Sequence, residues 1–502
     1  MATAQRLAPD SHAVRPSARV PAPPRPSVSR ARRPAYVIVA APAVLSVVLG
    51  LWGIRRQGTL WQDEAVTYDM AHRGLGDLWA TLGQADAVHG LYYLLMHGVF
   101  RLWEGGLVAL RLPSVLAMAC AAAGVAALGR RLAGPRAGLA AGLVFALLPV
   151  VQRYAQEGRS YALVTALVVA QTWVLVRACT ERRRSLWAYY AALSTLSGLL
   201  HEFALLALGA HGVTVLAARL PRAVVAAWAA ACSCAVTVTA PLVLLSLRQS
   251  RQVAWIEAPG AGDVLGFLLI VGVGLTCVAV RRRAATTPRR SGTGIVAMPL
   301  LVVPPALLLL AAAVRPLYVD RYVLYAQAGL SLLVGAALDT LWRTGRPRTV
   351  LALMMAAAVV AVGSVGTHLR SPASRADDVS AVARALREAA APGDGVLFLP
   401  ASRRVWTLQR EPASYGLFDI ALAAAPRISH TLYGDELPPA GIRTGMLRVS
   451  RIVVVREPAR ERQEANEREE AKEATLRVYF TRCGSRAVGT ARIDVYARGD
   501  GC

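Results

Sequence analysis

Stretches of about 20 mostly apolar residues, the length a helix needs to cross the hydrocarbon core of a bilayer, recur along this chain and limit what it can become. Eleven are readable, at about 35–54, 107–129, 135–151, 160–177, 186–200, 203–218, 222–246, 262–280, 294–314, 322–341 and 349–367. Lipid leaves a spanning backbone only helices or closed barrels, so runs of this length point to an α-helical polytopic membrane protein. Composition agrees: 55% of residues are hydrophobic and 17% charged, against about 25% charged in an average soluble domain. The apolar run Gly90–Trp103 is too short to span and reads as an interfacial helix.

The net charge of +25 would suggest nucleic acid in a soluble protein. Here it sorts by side. Alternate connections carry 24 Arg and 3 acids on one face and 10 Arg and 11 acids on the other, and positive residues are retained in the cytoplasm. The N-terminus is therefore expected inside, with no nucleic-acid partner; Arg55 and Arg56 are the local exception. Residues 1–34, rich in Pro, Ala, Ser and Arg, read as a disordered basic cytoplasmic arm, and 35–369 as the membrane domain with a large first outer loop, 55–106. With eleven spans, 370–502 emerges outside the cytoplasm. It reads as a small α/β domain: helix Asp377–Ala391, strands Gly395–Leu399 and Leu447–Val455, a charged helix Glu461–Arg477, and a strand pair near Arg477–Phe480 and Ala491–Ala497. Five cysteines fall in or beside spans as small packing residues; Cys483 and Cys502 are the candidate pair for a disulfide closing a terminal hairpin if that compartment is oxidising.

Every concentrated polar group between spans falls on the outer face: Trp61–Glu64, Asp86–Tyr93, Arg153–Tyr161, His201–Glu202 and Pro316–Tyr322. Singly each has a plain reading, since adjacent acids are usually solvated, tyrosines form interfacial belts and arginines touch headgroups. Together, carboxylates and arginines at membrane depth mark a site. They suit transfer of a group from a lipid phosphate, a carboxylate accepting an acceptor hydroxyl's proton while guanidiniums neutralise the departing phosphate. No Gly-rich phosphate loop and no paired C-x-x-C zinc pattern is present. No cofactor is expected; a divalent metal on Asp63, Glu64 or Asp86 is the disfavoured reading.

At these residues the chain resembles the polyprenyl-phosphate-sugar-dependent glycosyltransferases of the GT-C fold, nearest the family 39 or protein mannosyltransferase-like group. The resemblance rests on Asp63-Glu64 in the first outer loop, Asp86 before an aromatic-rich run to Tyr93, Glu157-x-Arg159-x-Tyr161, His201 beside Glu202, and Pro316-x-Tyr318-x-x-Arg321-Tyr322, and covers about residues 35–345. It implies Asp63 as catalytic base, Glu64 as its neighbour in acceptor binding or base orientation, and Arg159, Arg321 and Tyr322 at the donor phosphate. Asp86, His89, Tyr92, Glu157, Tyr161, His201 and Glu202 would bind acceptor or shape the site. Val88-His89-Gly90 departs from the family's usual His-Pro-Pro-like step, so the resemblance gives His89 no firm role. The implied reaction is an inverting single displacement moving mannose or another hexose to an outer hydroxyl on a glycan, lipid or protein, with membrane lipid and the polyprenyl-linked sugar as partners. The 55 Arg against one Lys (Lys472) read as a GC-rich coding sequence, hence a bacterial cell envelope.

Two other classes compete. A secondary transporter or lipid-sugar carrier places its polar site near the midplane between repeated halves, whereas these groups lie in outer connections and no internal repeat is evident. A non-catalytic assembly protein retaining the fold would tolerate loss of Asp63.

Overall fold

The computed structural model describes residues 35–181, 183–249, 256–284, 292–345, 348–375, 377–408, 412, 416–457, 466–499 and 502. The arm 1–34 lies outside them, as does the start of the charged helix expected from Glu461. Each of the eleven apolar stretches is helical. The helices are α1 (Ala35–Leu51), α2 (Gln62–Ala71), α3 (Leu75–Gln84), α4 (Gly90–Leu102), α5 (Gly106–Ala133), α6 (Pro135–Leu147), α7 (Pro149–Ala155), α8 (Tyr161–Glu181), α9 (Arg184–Leu200), α10 (Leu206–Ala217), α11 (Arg222–Arg248), α12 (Ala261–Arg283), α13 (Gly292–Ala312), α14 (Ala326–Arg343) and α15 (Arg348–Leu369). Among the described residues six segments, Tyr36–Gly58 (α1 with the turns that continue it), α5, α8, α11, α12 and α13, are each long and apolar enough to cross a bilayer, and the bent pair α6–α7 makes seven if taken as one span. Helices α9, α10 and α14, of 17, 12 and 18 residues, fall under the ~20 that a full crossing takes. This is the expected fold class, an α-helical polytopic membrane protein followed by a small sheet region.

Local chemistry sets the breaks. Pro149 cannot donate a backbone hydrogen bond and pushes Leu148 out of helical geometry, so α6 and α7 meet at 63°. That bend turns the chain toward the loop that carries Glu157 and Arg159. Helix α5 packs against α1, α6 and α8, and α6 also against α14. Lipid offers no hydrophobic drive between helices, so close backbone approach matters, and small residues permit it. A Cβ on Gly138 would lie 2.5 Å from the Ala126 carbonyl oxygen of α5, and one on Gly335 2.4 Å from the Ala141 nitrogen of α6.

Beyond α15 come α16 (Val379–Ala389), α17 (Pro426–Ser429), α18 (Pro439–Leu447) and α19 (Glu467–Tyr479), with strands β1 (Gly395–Leu399), β2 (Phe418–Asp419), β3 (Leu422–Ala424), β4 (Asp435–Glu436), β5 (Arg451–Arg456), β6 (Thr481–Val488) and β7 (Ala491–Ala497). The main sheet runs β2-β1-β5-β7-β6, with β1 parallel to β2 and β5 and the remaining pairs antiparallel; β3 and β4 form a separate ladder. The continuous apolar runs of β1 and β5 suit central strands covered on both faces. Asp378 caps α16, accepting from the Ser380 and Ala381 nitrogens at 3.0 and 3.2 Å.

Two boundaries correct the sequence reading. Arg477–Tyr479 is the end of α19, held in by buried Leu476; Phe480 leaves the helix in extended geometry, and the strand begins only at Thr481. That strand, β6, is exposed along nearly its whole length, so it lacks the alternation by which a strand is recognised. Residues Leu447–Ser450 likewise end α18 or turn before β5. Cys483 and Cys502 form a disulfide that ties the chain's end to β6.

Candidate functional site

Asp63 and Glu64 are the second and third residues of α2 and face different ways. Glu64 is fully buried. It accepts from Arg111 Nε and Nη2 at 2.8 and 2.6 Å, from Arg56 Nη2 at 3.3 Å, and from the backbone nitrogens of Gly158 and Trp61 at 3.0 and 3.3 Å. Burial alone would push its carboxyl up, but Arg111 and Arg56 override this and hold it at about 2. Saturated in this way, Glu64 has no lone pair left for an acceptor or a metal. The acceptor-binding role is corrected: Glu64 fastens α2 to α5 and to the Gly158 loop, which leaves it the orientation of its neighbour.

Asp63 is the open carboxylate. Its side chain keeps 25% of its surface accessible, with Arg159 Nε at 3.7 Å and Arg321 Nη2 at 3.8 Å from the same oxygen, Oδ2. Those separations are ion-pair distances but longer than hydrogen bonds. Arg159 Nη1 donates to the Tyr93 hydroxyl at 2.9 Å and lies 4.0 Å from Asp86. Arg321 Nε donates to the Tyr161 hydroxyl at 3.2 Å, and its guanidinium lies over the Trp61, Tyr161 and Tyr322 rings at 5.3, 5.8 and 5.7 Å.

Asp86 adopts left-handed backbone geometry, φ +57°, a conformation aspartate tolerates better than most residues. It is hydrogen-bonded by His89 Nδ1 at 2.8 Å and by the Tyr93 hydroxyl. Burial raises its carboxyl, and His89 with Arg159 and Tyr93 outweighs that, so it stays below the ordinary carboxylate range. Four rings close the wall: His201 lies 5.6 Å from His89, 5.6 Å from Tyr161 and 4.8 Å from Tyr322, centre to centre. Burial first, and then the neighbouring guanidiniums, Arg159 for both and Arg321 for His201, push both imidazoles down, which keeps them neutral near pH 7. Arg159 Nε, His89 Nε2 and His201 Nδ1 are buried without a hydrogen-bond partner.

Glu157 lies behind this wall with both carboxylate oxygens buried and without a hydrogen bond, and with Arg375 Nη2 at 3.6 Å. Burial pushes it up to about 7, against the pull of Arg375 and Arg321. Two expected members stand apart. Glu202 turns to α11, accepting from Ser246 at 3.0 Å, because the helical turn after His201 rotates it off the chamber side. Tyr92 is fully buried in the core, and its neighbour Tyr93 takes the place at the site.

Sequence reasoning placed Trp61 and Tyr93 in the outer polar groups without giving them a role, noted Arg56 only as a charge exception, and missed Arg111 and Arg375. Arg111 left a signal: an arginine in the second turn of an apolar span is costly unless paired. Arg56 explains the local exception to the charge rule, since it lies fully buried against Glu64 and donates to the Gln156 carbonyl at 2.6 Å. Arg375, over 200 residues from Glu157, left none.

A family model described as dolichyl-phosphate-mannose-protein mannosyltransferase matches residues 91–246. No curated protein matches the chain. Among solved structures, ArnT from Cupriavidus metallidurans in the apo state shares 13% identity with a TM-score of 0.58, covering 92% of this chain and 98% of that one. The same protein bound to undecaprenyl phosphate gives 13% and 0.52, over 91% and 97%. The apo oligosaccharyltransferase of Archaeoglobus fulgidus gives 10% and 0.53, over 84% and 70%. At such identities the likeness is one of fold. The chain therefore shares the fold of these multi-pass membrane glycosyltransferases, and its residues 91–246 are similar to the dolichyl-phosphate-mannose-protein mannosyltransferase model.

Proposed function

We propose that this protein transfers a hexose, mannose foremost, from a polyprenyl-phosphate carrier to a hydroxyl presented outside the cytoplasm, with Asp63 as the base. The observation that supports it best is the placement of the Asp63 carboxylate, open on one side and flanked by two guanidiniums that have not closed on it, at 3.7 and 3.8 Å. Carbon–oxygen cleavage at the anomeric centre turns a singly charged phosphodiester into a phosphate monoester, so negative charge grows on the phosphate as the bond breaks. Arg159 and Arg321 can move onto those oxygens, and they bind the transition state more strongly than the intact donor. As they leave Asp63 its carboxylate becomes the stronger base, takes the proton of the acceptor hydroxyl, and that oxygen attacks the anomeric carbon from the opposite face. The product is inverted, and the polyprenyl phosphate leaves without needing a proton.

The unpartnered polar atoms of Arg159, His89 and His201 are supplied with partners by a sugar and its phosphate, as buried polar groups require. The carrier class is supported by the solved relative bound to undecaprenyl phosphate. The expected topology has the N-terminus cytoplasmic and the C-terminal α/β region outside, with no cofactor beyond the donor. Membranes holding wild type or Asp63→Asn, given a panel of radiolabelled polyprenyl-phosphate sugars, test the reading. Wild type should label a product from one donor, and the variant should lose turnover while still binding polyprenyl phosphate. A fully active Asp63→Asn would remove Asp63 as base.

A further inference from the structure

The segment Gly58–Gln62 leads directly into Asp63 and makes little secondary structure of its own. Its backbone is held on the inner side by Arg111, which donates to the Thr59 carbonyl at 2.7 Å, and on the outer side by the C-terminal region. The Val379 nitrogen donates to the Leu60 carbonyl at 2.9 Å, Ser380 Oγ donates to the Gly58 carbonyl at 2.9 Å, and Trp61 pairs with Asp378 as an isolated antiparallel bridge. The side chain next to the base is held as well: Arg403 Nη1 donates to Gln62 Oε1 at 2.8 Å. Arg403 is itself fixed, paired with Glu457 and lying 4.7 Å over the Trp406 ring. Trp406 is fully buried in the same apolar core that runs down to Tyr93 and Met96 of α4. The helical turn Ala401–Thr407 that carries Arg403 and Trp406 packs on α2. Near the other end of α2, Arg73 donates to the Thr431 carbonyl at 3.0 Å.

We infer that Arg403, through Gln62, is a positioning residue for Asp63, so that the C-terminal region sets the geometry of the base and does not merely accompany the membrane domain. This rests on the reading of Asp63 as base. The α2 N-terminus is fixed from two sides: Glu64 ties it inward to Arg111, and Gln62 ties it outward to Arg403. Between them the turn that carries Asp63 is fixed, with its carboxylate in ion-pair reach of both guanidiniums. Release of the outer tie lets the first turn of α2 shift, and a displacement of about 1 Å at a reacting group is enough to lower a rate by as much as a hundredfold.

The test is steady-state kinetics on the purified full-length protein with a short-chain polyprenyl-phosphate hexose that supports turnover, together with polyprenyl-phosphate binding. Arg403→Ala and Gln62→Ala should each lower kcat by about tenfold or more, with the KM for donor and lipid-phosphate binding held within about twofold. The double variant should be no slower than the singles, and Arg403→Lys should recover part of kcat. An unchanged kcat in Gln62→Ala, a loss carried by the donor KM, or additive losses would overturn the inference. Should Arg403→Ala fail to fold, Gln62→Ala with Arg403→Lys decides the matter. Asp63→Asn run alongside separates the two claims: if it keeps full turnover the base reading fails, whatever Arg403 does.

Discussion

Glu64→Ala tests the division of labour at the α2 N-terminus. The substitution removes a carboxylate that accepts from two arginines and two backbone nitrogens and leaves Arg111 and Arg56 buried with no counter-charge. Breaking a buried ion pair from one side costs about 3–5 kcal/mol. A second route gives a similar figure. Holding the carboxyl at about 2 against its ordinary 4.5 corresponds to about 3 kcal/mol at roughly 1.4 kcal/mol per unit. Because the folded-state value is depressed, that stability is fully present above about pH 4.5 and is lost as pH falls toward about 2. The folded-to-unfolded ratio should therefore fall about a hundredfold or more in the variant near neutral pH, read as a lowered midpoint in thermal and denaturant unfolding of detergent-solubilised protein. Turnover per folded molecule should suffer less than in Asp63→Asn. A Glu64→Ala protein as stable as wild type but catalytically dead would refute the reasoning and return Glu64 to the substrate.

Arg321→Ala should lower kcat/KM for the donor by about 10- to 100-fold, the worth of one charge-assisted phosphate contact, and an unchanged donor dependence in initial-rate kinetics would remove Arg321 from the phosphate. Burial raises Glu157 from its ordinary 4.5 to about 7, so the fold favours its protonated form; that contribution is complete below about pH 4.5 and is lost as pH rises through about 7. Glu157→Gln should accordingly gain stability relative to wild type between about pH 5 and about pH 8, and parallel thermal-shift profiles would show instead that Arg375 keeps the carboxylate charged. Cys483→Ser opens a loop spanning 19 residues of sequence and should destabilise the C-terminal region by about 3 kcal/mol, seen as earlier proteolysis of that region; indifference of wild type to reductant would contradict it.

The membrane fold was legible because its signal is long and repeated: each apolar stretch is a helix, and the break at Pro149 follows from one residue's missing donor. The polar chamber was legible as a set, since Asp63, Asp86, His89, Arg159, Tyr161, His201, Arg321 and Tyr322 do come together. What the sequence hid was pairing. Tyr92 and Tyr93 have the same chemistry one residue apart, and only the turn of α4 puts one at Arg159 and the other in the core. Arg375 and Arg403 act on Glu157 and Gln62 across more than 200 residues, contacts that no local pattern encodes. The exposed strand β6 escaped because pairing with β7, and no apolar face of its own, makes it a strand.

The adjacent acids Asp63 and Glu64 condense the logic of the site. Successive residues of an α-helix point about 100° apart, so two carboxylates side by side at a helix start cannot share an environment. One is turned into the protein, where six hydrogen bonds from Arg111, Arg56 and the Gly158 and Trp61 nitrogens consume it. The other is turned to the chamber, where its two arginines stand off beyond hydrogen-bonding distance. The difference matters chemically. A base bonded as tightly as Glu64 could not accept a proton near neutral pH, and a base as loosely held as Asp63 could not aim without an anchor. On the proposed reading, placing both on one rigid turn lets the buried acid fix the backbone from which the open acid would act, with Arg159 and Arg321 near enough to meet the departing phosphate.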